Sequence, residues 1–180
     1  ASPDMPTDAI YTVTEVYPTH VVLDANHPLA GMALRLHLRV LDVREASADD
    51  VGGILQLIEP FERDGTLVRR ERTEIERDIA NYTVIEHDGV IFGCAALYPY
   101  PEAKTAEMAA LTVSPQVQSQ GDGERILKRV EQRAKGMGLD SIFVLTTRTM
   151  HWFIKRGFVQ VDPDWLPEAR KRKYNWDRRS

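Results

Sequence analysis

A glycine-containing turn is the clearest candidate binding element in this sequence. Residues 118–125 read QSQGDGER, between a strand-like apolar stretch and apolar residues with helical spacing. The first turn of a helix has four N–H groups without intrahelical partners and carries about half a unit of positive charge. Glycine lets the backbone approach a ligand closely. The turn therefore favours an anion site, and a plain strand-to-helix connection is the alternative that it leaves open.

The spacing of the turn separates it from two common nucleotide loops. The sequence has no GxxxxGK[ST] motif of P-loop NTPases and no GxGxxG motif that opens a βαβ unit. It has Q-x-x-G-x-G, formed by Gln118, Gly121 and Gly123. The motif alone predicts a phosphate-like ligand without identifying it.

The cysteine and the histidines do not indicate a catalytic or metal site. Cys94 is the single cysteine, which excludes an internal disulfide and a multi-cysteine zinc site and suits a reducing cytoplasm. It lies in mid-strand, so we expect a small buried hydrophobic residue and no nucleophile. The five histidines do not have metal-ligand spacing, and we assign no metal.

Composition excludes several function classes. With 180 residues, 43% of them hydrophobic, the chain can bury a substantial core. Its formal net charge of -4 argues against a nucleic-acid or membrane-surface protein. The basic block at residues 170–173 is predicted to be a solvated helix face. We find no apolar run that could cross a bilayer and no signal peptide in the first residues, and we expect a cytoplasmic protein.

Strands dominate the first third of the sequence. Residues 11–24 contain two β-branched runs around Tyr17-Pro18, and residues 34–41 alternate apolar and polar side chains as a half-buried strand does. The alternation changes phase at Leu41 and Val43, which predicts a bulge or a buried strand.

Helices and strands then alternate. Ser47 and Asp50 predict a capped helix that ends at Pro60, and a second helix is predicted over residues 71–80. A hairpin around His87-Asp88-Gly89 and a strand over residues 107–113 follow. A helix over 122–135, a buried strand over 141–147 and a short helix closed by Gly157 complete the pattern. It implies an α/β domain with a mixed sheet.

These segments together resemble the GNAT acetyltransferases. From about residue 43 to 180, the sequence is similar to the acetyltransferase domain of bacterial N-acetylglutamate synthases, through the stretches DVGGILQLIEPFERDGTLVRR, GCAALYPYPE, AEMAALTVSP, FVLTTRTMHWFIKRGF and LPEARKRKYNW. The resemblance implies a mostly antiparallel mixed sheet flanked by helices. It also implies acetyl-CoA as cofactor and L-glutamate as substrate.

The resemblance assigns roles residue by residue. It makes Glu107 the group that accepts the amine proton and Thr146 a hydroxyl near the leaving sulfur. It also makes two arginines and a serine contacts of the substrate carboxylates, because guanidinium groups fit carboxylates well. The substrate set is Arg70, Arg178 and Ser180. The cofactor set is Ala109, Leu111, Val113, Gln118, Gly121, Asp122, Gly123 and Glu124.

The front of the chain has a different resemblance. The stretch THVVLDANHPLAGMALRLHLRVLDVREAS is similar to the C-terminal part of SlyD-like FKBP-type prolyl isomerases. We therefore expect an FKBP-like β segment over residues 1–43 and a GNAT domain over 44–180 that share a strand, as in a natural or engineered chimera. Bacterial N-acetylglutamate synthases commonly carry an amino-acid-kinase domain ahead of the acetyltransferase and a last apolar stretch after it, and we expect neither in this sequence.

The leading hypothesis is thus an N-acetylglutamate synthase-like N-acetyltransferase of arginine biosynthesis. One alternative is a fold chimera that binds coenzyme A with little catalysis, and a remote one is a prolyl-isomerase-like binding module. Whether the chain forms a homo-oligomer stays open.

Overall fold

The computed structural model describes residues 12–24, 42–116, 121–146 and 148–174. The chain divides into two compact units, residues 1–39 and 40–180. In the first unit, β1 (Thr12–Val16) and β2 (Val21–Asp24) form an antiparallel hairpin around Tyr17-Pro18. This confirms the two predicted strands. The strand predicted over residues 34–41 and its phase change at Leu41 lie outside the described residues.

The second unit is built on a five-stranded mixed sheet. Its strands, in spatial order, are β3 (Asp42–Glu45), β4 (Tyr82–His87), β5 (Val90–Tyr100), β6 (Thr105–Val113) and β7 (Ser141–Phe143). Neighbouring strands are antiparallel except β6 and β7, which are parallel. The Asp88-Gly89 turn between β4 and β5 has positive φ at both residues, 49° and 77°, which the Asp-Gly pair tolerates. The predicted mixed sheet and its hairpin are confirmed.

Helices cover both faces of this sheet. The helices α1 (Val51–Arg63) and α2 (Arg72–Asp78) pack on one face, and α3 (Asp122–Gly136) and α4 (Met150–Ile154) pack on the other. A short helix, α5 (Glu168–Lys171), follows. The core of the α1–α2 face includes Ile54, Ile58, Ile75, Tyr82, Cys94 and Ala110. The core of the α3–α4 face includes Ile85, Leu97, Met108, Ile126, Val130 and Phe153. The sheet therefore has two separate apolar layers, each sealed by amphipathic helices.

The entry to α1 follows the sequence signal. The Ser47 amide and hydroxyl donate to Asp50 Oδ2 at 2.7 and 3.1 Å, in a capping box ahead of the helix. Arg44 on β3 adds a two-pronged ion pair to the same carboxylate at 2.7 and 2.9 Å. This junction ties the edge strand to the first helix.

The end of α1 differs from the prediction. Pro60 lies inside the helix, which continues to Arg63. Proline removes one ladder hydrogen bond and disfavours a helix interior. Here it is exposed in the last turns, and its own carbonyl accepts from the Asp64 amide at 3.1 Å, so the helix closes normally beyond it.

Candidate functional site

The sheet opens between β6 and β7. The two strands pair over only three residues each, Thr105–Glu107 and Ser141–Phe143. Residues 144–146, which the sequence predicted as a continuation of β7, are not in a strand. From Met108 onward, the edge of β6 has therefore lost its pairing with β7, and backbone groups on that edge face a gap.

A bulge in β6 lies beside this opening. The pairing with β5 shifts by one residue between Cys94–Thr112 and Ala96–Ala109, and Ala110 has a φ of +53°. The Ala110 carbonyl accepts from the Thr112 hydroxyl at 3.1 Å and from the Cys94 thiol at 3.6 Å. Burial raises the pKa of Cys94 to about 12, so the group remains a thiol at neutral pH. Cys94 is buried as predicted, and it stabilises the bulge.

The backbone of β6 beyond the bulge presents donors to the gap. The Ser114 amide donates to Phe92 O on β5 at 2.7 Å. Successive residues of a strand direct their N–H groups to opposite edges, so the Leu111 amide, three residues earlier, faces away from β5. Leu111 and its neighbours Ala109 and Val113 are the β6 residues predicted to bind the cofactor. They lie along the strand at the opening.

The start of α3 lies beside the same end of β6. Gly121 is the N-cap with a φ of +82°, and its carbonyl accepts from the amides of Glu124 and Arg125, each at 3.1 Å. The amides of Asp122 and Gly123 belong to the first helical turn, where the helix provides no acceptors. A Cβ built on Gly123 would lie 3.2 Å from the Trp152 side chain and 3.8 Å from Val113. The fold thus brings the glycine turn and the end of β6 together.

The two acidic side chains of the turn bind within the protein. Asp122 is 2% exposed and accepts weakly from Arg125 at 3.4 Å; its second carboxylate oxygen finds no partner among the described residues. Glu124 pairs with Arg156 at 3.3 Å, and that guanidinium lies 3.9 Å from the centre of the Trp152 ring. Their carboxylates therefore suit the positive end of the helix. The Asp122 amide can serve an anion, whereas the Glu124 amide, predicted as a cofactor contact, already donates to the Gly121 carbonyl at 3.1 Å.

Glu107 forms a buried ion pair that the sequence did not suggest. Arg170 Nε donates to Oε2 at 2.5 Å and Arg170 Nη2 donates to Oε1 at 3.2 Å. The side chains of Glu107 and Arg170 are 10% and 14% exposed. The prediction that residues 170–173 form a solvated helix face is therefore wrong for Arg170, because its guanidinium turns inward to a carboxylate 63 positions away in sequence.

Tyrosines surround this carboxylate on the α1–α2 face. Ala106 and Met108, the neighbours of Glu107 on β6, belong to the core of the α3–α4 face, so the Glu107 side chain lies on the α1–α2 face. Glu107 lies opposite Tyr98 in the β5–β6 register. Burial and the charge of Glu107 raise the pKa of Tyr100. Sequence alone could have suggested these tyrosines only through their period of two on β5.

Arg70 reaches the same face from the loop before α2. Its amide donates to Glu62 Oε1 at 2.8 Å and its Nη1 to Val68 O at 3.2 Å. Burial, and then Tyr98, raise the pKa of Tyr82, while the nearby charge of Arg70 opposes that rise. Arg70, the tyrosines and Glu107 thus belong to one side of the sheet.

Thr146 has different surroundings. Its Oγ1 lies 2.8 Å from Thr149 Oγ1 and accepts from the Thr149 amide at 3.1 Å, just before α4. It lines a cavity of about 660 Å³ that runs along β7, past α4 and residues 157–166. Among the described residues, neither Glu107 nor any part of β6 lines this cavity. The cavity is therefore not the space between the two predicted catalytic side chains.

Three predicted site residues, Gln118, Arg178 and Ser180, lie outside the described residues. Within residues 12–24, 42–116, 121–146 and 148–174, no group of three or more His, Cys, Asp or Glu side chains is arranged to hold a metal ion. In the same ranges no helix is long and apolar enough to span a bilayer.

Comparison with known proteins agrees with this geometry. The family model described as "Acetyltransferase (GNAT) family" matches residues 49–158, more than half of the chain. The chain belongs to the GNAT acetyltransferase family. The GNAT fold predicted from the sequence is confirmed.

Individual members of the GNAT family show which acetyltransferases the chain is similar to. The chain is 67% identical over 138 residues to the amino-acid acetyltransferase of Ralstonia nicotianae, covering 77% of this chain and 31% of that protein. The corresponding Escherichia coli K12 enzyme is 49% identical over the same length and share of each chain. N-acetylglutamate synthase from Neisseria gonorrhoeae, solved with coenzyme A and N-acetyl-glutamate, superimposes with a TM-score of 0.73 at 40% identity, over 77% of this chain and 32% of that one. The chain spans about a third of the length of these relatives.

Proposed function

We propose that this chain transfers the acetyl group of acetyl-CoA to the α-amine of L-glutamate. The observation that carries the proposal is the location of a buried carboxylate, Glu107, where β6 and β7 part, on the same sheet face as Arg70. The relatives named amino-acid acetyltransferase, and the neighbour solved with coenzyme A and N-acetyl-glutamate, support this choice of substrates.

The residues fit coenzyme A at the start of α3. Gly121 has a left-handed backbone, and among the described residues a Cβ there would meet no atom within 4 Å, which supports a close approach of a ligand to this turn. The amides of Gly121, Asp122 and Gly123, which have no acceptor within the helix, would hold the pyrophosphate together with Gln118. Backbone groups of Ala109, Leu111 and Val113 would hold the pantetheine arm along β6. When bound, the cofactor supplies an activated acetyl thioester.

The acceptor side falls on the α1–α2 face. Glu107 takes the proton of the glutamate amine, directly or through water, so that a neutral nitrogen attacks. The Leu111 amide would donate a hydrogen bond to the carbonyl oxygen of the thioester. The Thr146 hydroxyl would pass a proton to the thiol sulfur and take one back from solvent. Arg70, with Arg178 and Ser180, holds the two carboxylates of glutamate, as guanidinium forks do well.

Thiol release from acetyl-CoA tests the proposal. We expect release that depends on glutamate and is at least tenfold slower with aspartate, lysine or no acceptor. Thermal stabilisation by coenzyme A without glutamate-dependent release would instead support a chimera that binds the cofactor without catalysis.

A paired glycine substitution tests the cofactor site. Gly121→Val should weaken coenzyme A binding at least tenfold, measured by calorimetry, because a side chain blocks the approach of the phosphates. Gly138→Val is the matched control, since Gly138 has a φ of +72° and equally open surroundings beyond the other end of α3. Equal affinity in the two variants would refute the site.

We also propose that residues 1–43 are an FKBP-like β segment joined to a GNAT domain over 44–180. The NHPLAG stretch at residues 26–31 and the division of the chain near residue 40 support it. An experimental structure of the segment whose strand order differs from that of the C-terminal part of an FKBP would contradict it.

A further inference from the structure

We propose that Arg170 is a positioning residue that fixes the carboxylate of Glu107 in the orientation needed to take the amine proton. This inference rests on the proposed function, because it assigns Glu107 the role of base. The proposal adds to the site a residue of the 170–173 block, which the sequence predicted to be a solvated helix face. The carrying observation is the two-pronged contact of Arg170 with both Glu107 oxygens, at 2.5 and 3.2 Å.

The geometry leaves Glu107 able to act. Each carboxylate oxygen has two acceptor positions, and the guanidinium uses one on each. Tyr100 also interacts with this carboxylate, and the positions that remain can accept from a water or from an amine. Arg170 thus holds the plane of the carboxylate without occupying all of its acceptor positions.

Glu107 needs such a partner because of its location. It is the last β6 residue that pairs with β7, opposite Phe143. Beyond this point the strands diverge, so no strand neighbour on that side restricts the side chain. A reacting group must be held closely in place, since a displacement of about 1 Å can lower the rate about a hundredfold.

Arg170 is itself held by an aromatic chain of contacts. The ring of Phe143 lies 6.0 Å from that of Tyr100 and 6.1 Å from that of Trp165, the latter edge to face. Leu166, next to Trp165, is 4% exposed, and the Arg170 amide donates to Pro167 O at 2.8 Å. The segment that carries Arg170 is therefore anchored to the same strand positions, Tyr100 and Phe143, that flank Glu107.

A role in stability alone would be a weak explanation of this pair. Desolvation of two charges offsets much of their attraction, and apolar replacements of similar volume are often as stable. The pair lies beside the opening of the sheet and fixes a carboxylate in one orientation. That is useful for a base and unnecessary for packing.

Steady-state kinetics on the full chain test the inference. Arg170→Gln should lower kcat for glutamate about 10- to 100-fold, with KM for both substrates changed less than about threefold. Arg170→Lys should recover part of the loss, because an ammonium keeps the charge and loses the fork. Arg172→Gln, on the exposed side of the same turn, is the matched control and should stay within about twofold of the wild type.

A double-mutant cycle separates action through Glu107 from direct binding. If Arg170 acts through Glu107, Glu107→Gln combined with Arg170→Gln should have a kcat within about threefold of Glu107→Gln alone. Independent, multiplying losses would overturn the inference. So would a rise of more than tenfold in KM for glutamate at unchanged kcat, because Arg170 would then contact the substrate.

Thermal unfolding of the four proteins of this cycle, the wild type, Glu107→Gln, Arg170→Gln and the double variant, provides a measurement that does not need turnover. Each single substitution leaves a buried charge without its partner and should lower the midpoint by roughly 5–10 °C, and the double substitution should lower it by less than the sum. Additive shifts would overturn the inference. If the wild type shows no glutamate-dependent release, the proposed function fails, and the catalytic role of the pair fails with it, even where the unfolding shifts are coupled.

Discussion

The hydroxyl of Thr146 contacts two groups of Thr149. It accepts from the Thr149 amide at 3.1 Å and lies 2.8 Å from the Thr149 hydroxyl. The net contribution of one such hydrogen bond to stability is about 1 kcal/mol. A catalytic effect of Thr146 must therefore be separated from a small loss of stability at the start of α4.

We predict that Thr146→Val lowers kcat about tenfold or more, because it removes the hydroxyl proposed to give a proton to the leaving thiolate, while the KM for acetyl-CoA changes little. Thr146→Ser should retain most of the activity. Thr149→Val is the control, since it removes the partner hydroxyl and keeps that of Thr146. Steady-state kinetics beside thermal unfolding measure both effects, and an equal loss of kcat in Thr146→Val and Thr149→Val would contradict a specific role for Thr146.

Single residues could be predicted from the sequence only where their partners are local. The pairing of Ser47 with Asp50 is three residues apart and was predicted correctly. The pairing of Arg170 with Glu107 spans 63 positions, and no composition or periodicity rule connects them. The block at residues 170–173 looked like a solvated face, since charge runs usually are. The tertiary fold alone brings Arg170 to Glu107.

The junction between β3 and α1 depends on one carboxylate. Asp50 accepts from the Ser47 amide and hydroxyl and from two nitrogens of Arg44. The hydrogen bonds from Arg44 lower the pKa of Asp50 to about 2, against a desolvation effect that raises it. A carboxyl with a lowered folded-state pKa stabilises the fold above its unfolded-state pKa, near 3.8, and loses that contribution as the pH falls towards 2.

We predict that Asp50→Asn lowers the free energy of unfolding by about 2 kcal/mol between pH 5 and 7, because it removes the charge that Arg44 pairs with. The difference from the wild type should shrink below pH 4, where the wild-type carboxyl begins to gain a proton on unfolding. Urea unfolding of both proteins at a series of pH values between 3 and 7 measures this difference in the free energy of unfolding. Asp49→Asn, at an exposed neighbouring position, is the control. A difference that stays constant down to pH 3 would show that the ionised carboxylate is not the source.

A helix or strand could be predicted from the sequence where its local sequence signal agrees with its tertiary contacts. The hairpin at Asp88-Gly89 and the cap before α1 have strong local signals and appear as predicted. The helix end predicted at Pro60 was wrong: α1 extends past it to Arg63, since the buried residues Leu57 and Ile58 anchor the helix to the sheet. The predicted strand over 141–147 is shorter because a strand needs a partner, and β6 diverges after Glu107.

At the scale of the acetyltransferase unit, the sheet separates the two groups of predicted site residues. The α3–α4 face and the adjacent edge of β6 hold the predicted cofactor residues, while the α1–α2 face holds Glu107, Arg70 and the tyrosines. The bulge at Ala110 changes which groups β6 directs to each side. A positive φ at an alanine cannot be read from the sequence AALTV, so this feature of the site was accessible only in the structure.

This division predicts where coenzyme A should protect the backbone. In hydrogen exchange followed by mass spectrometry, saturating coenzyme A should slow exchange about tenfold or more in peptides covering residues 108–116 and 121–126. Peptides within β4 should change little, since β5 separates this strand from β6 in the sheet. Pantetheine lacks the pyrophosphate and should protect the β6 peptide alone. Protection limited to peptides along the cavity beside β7, residues 150–163, would place the cofactor there and refute the assignment to β6 and α3.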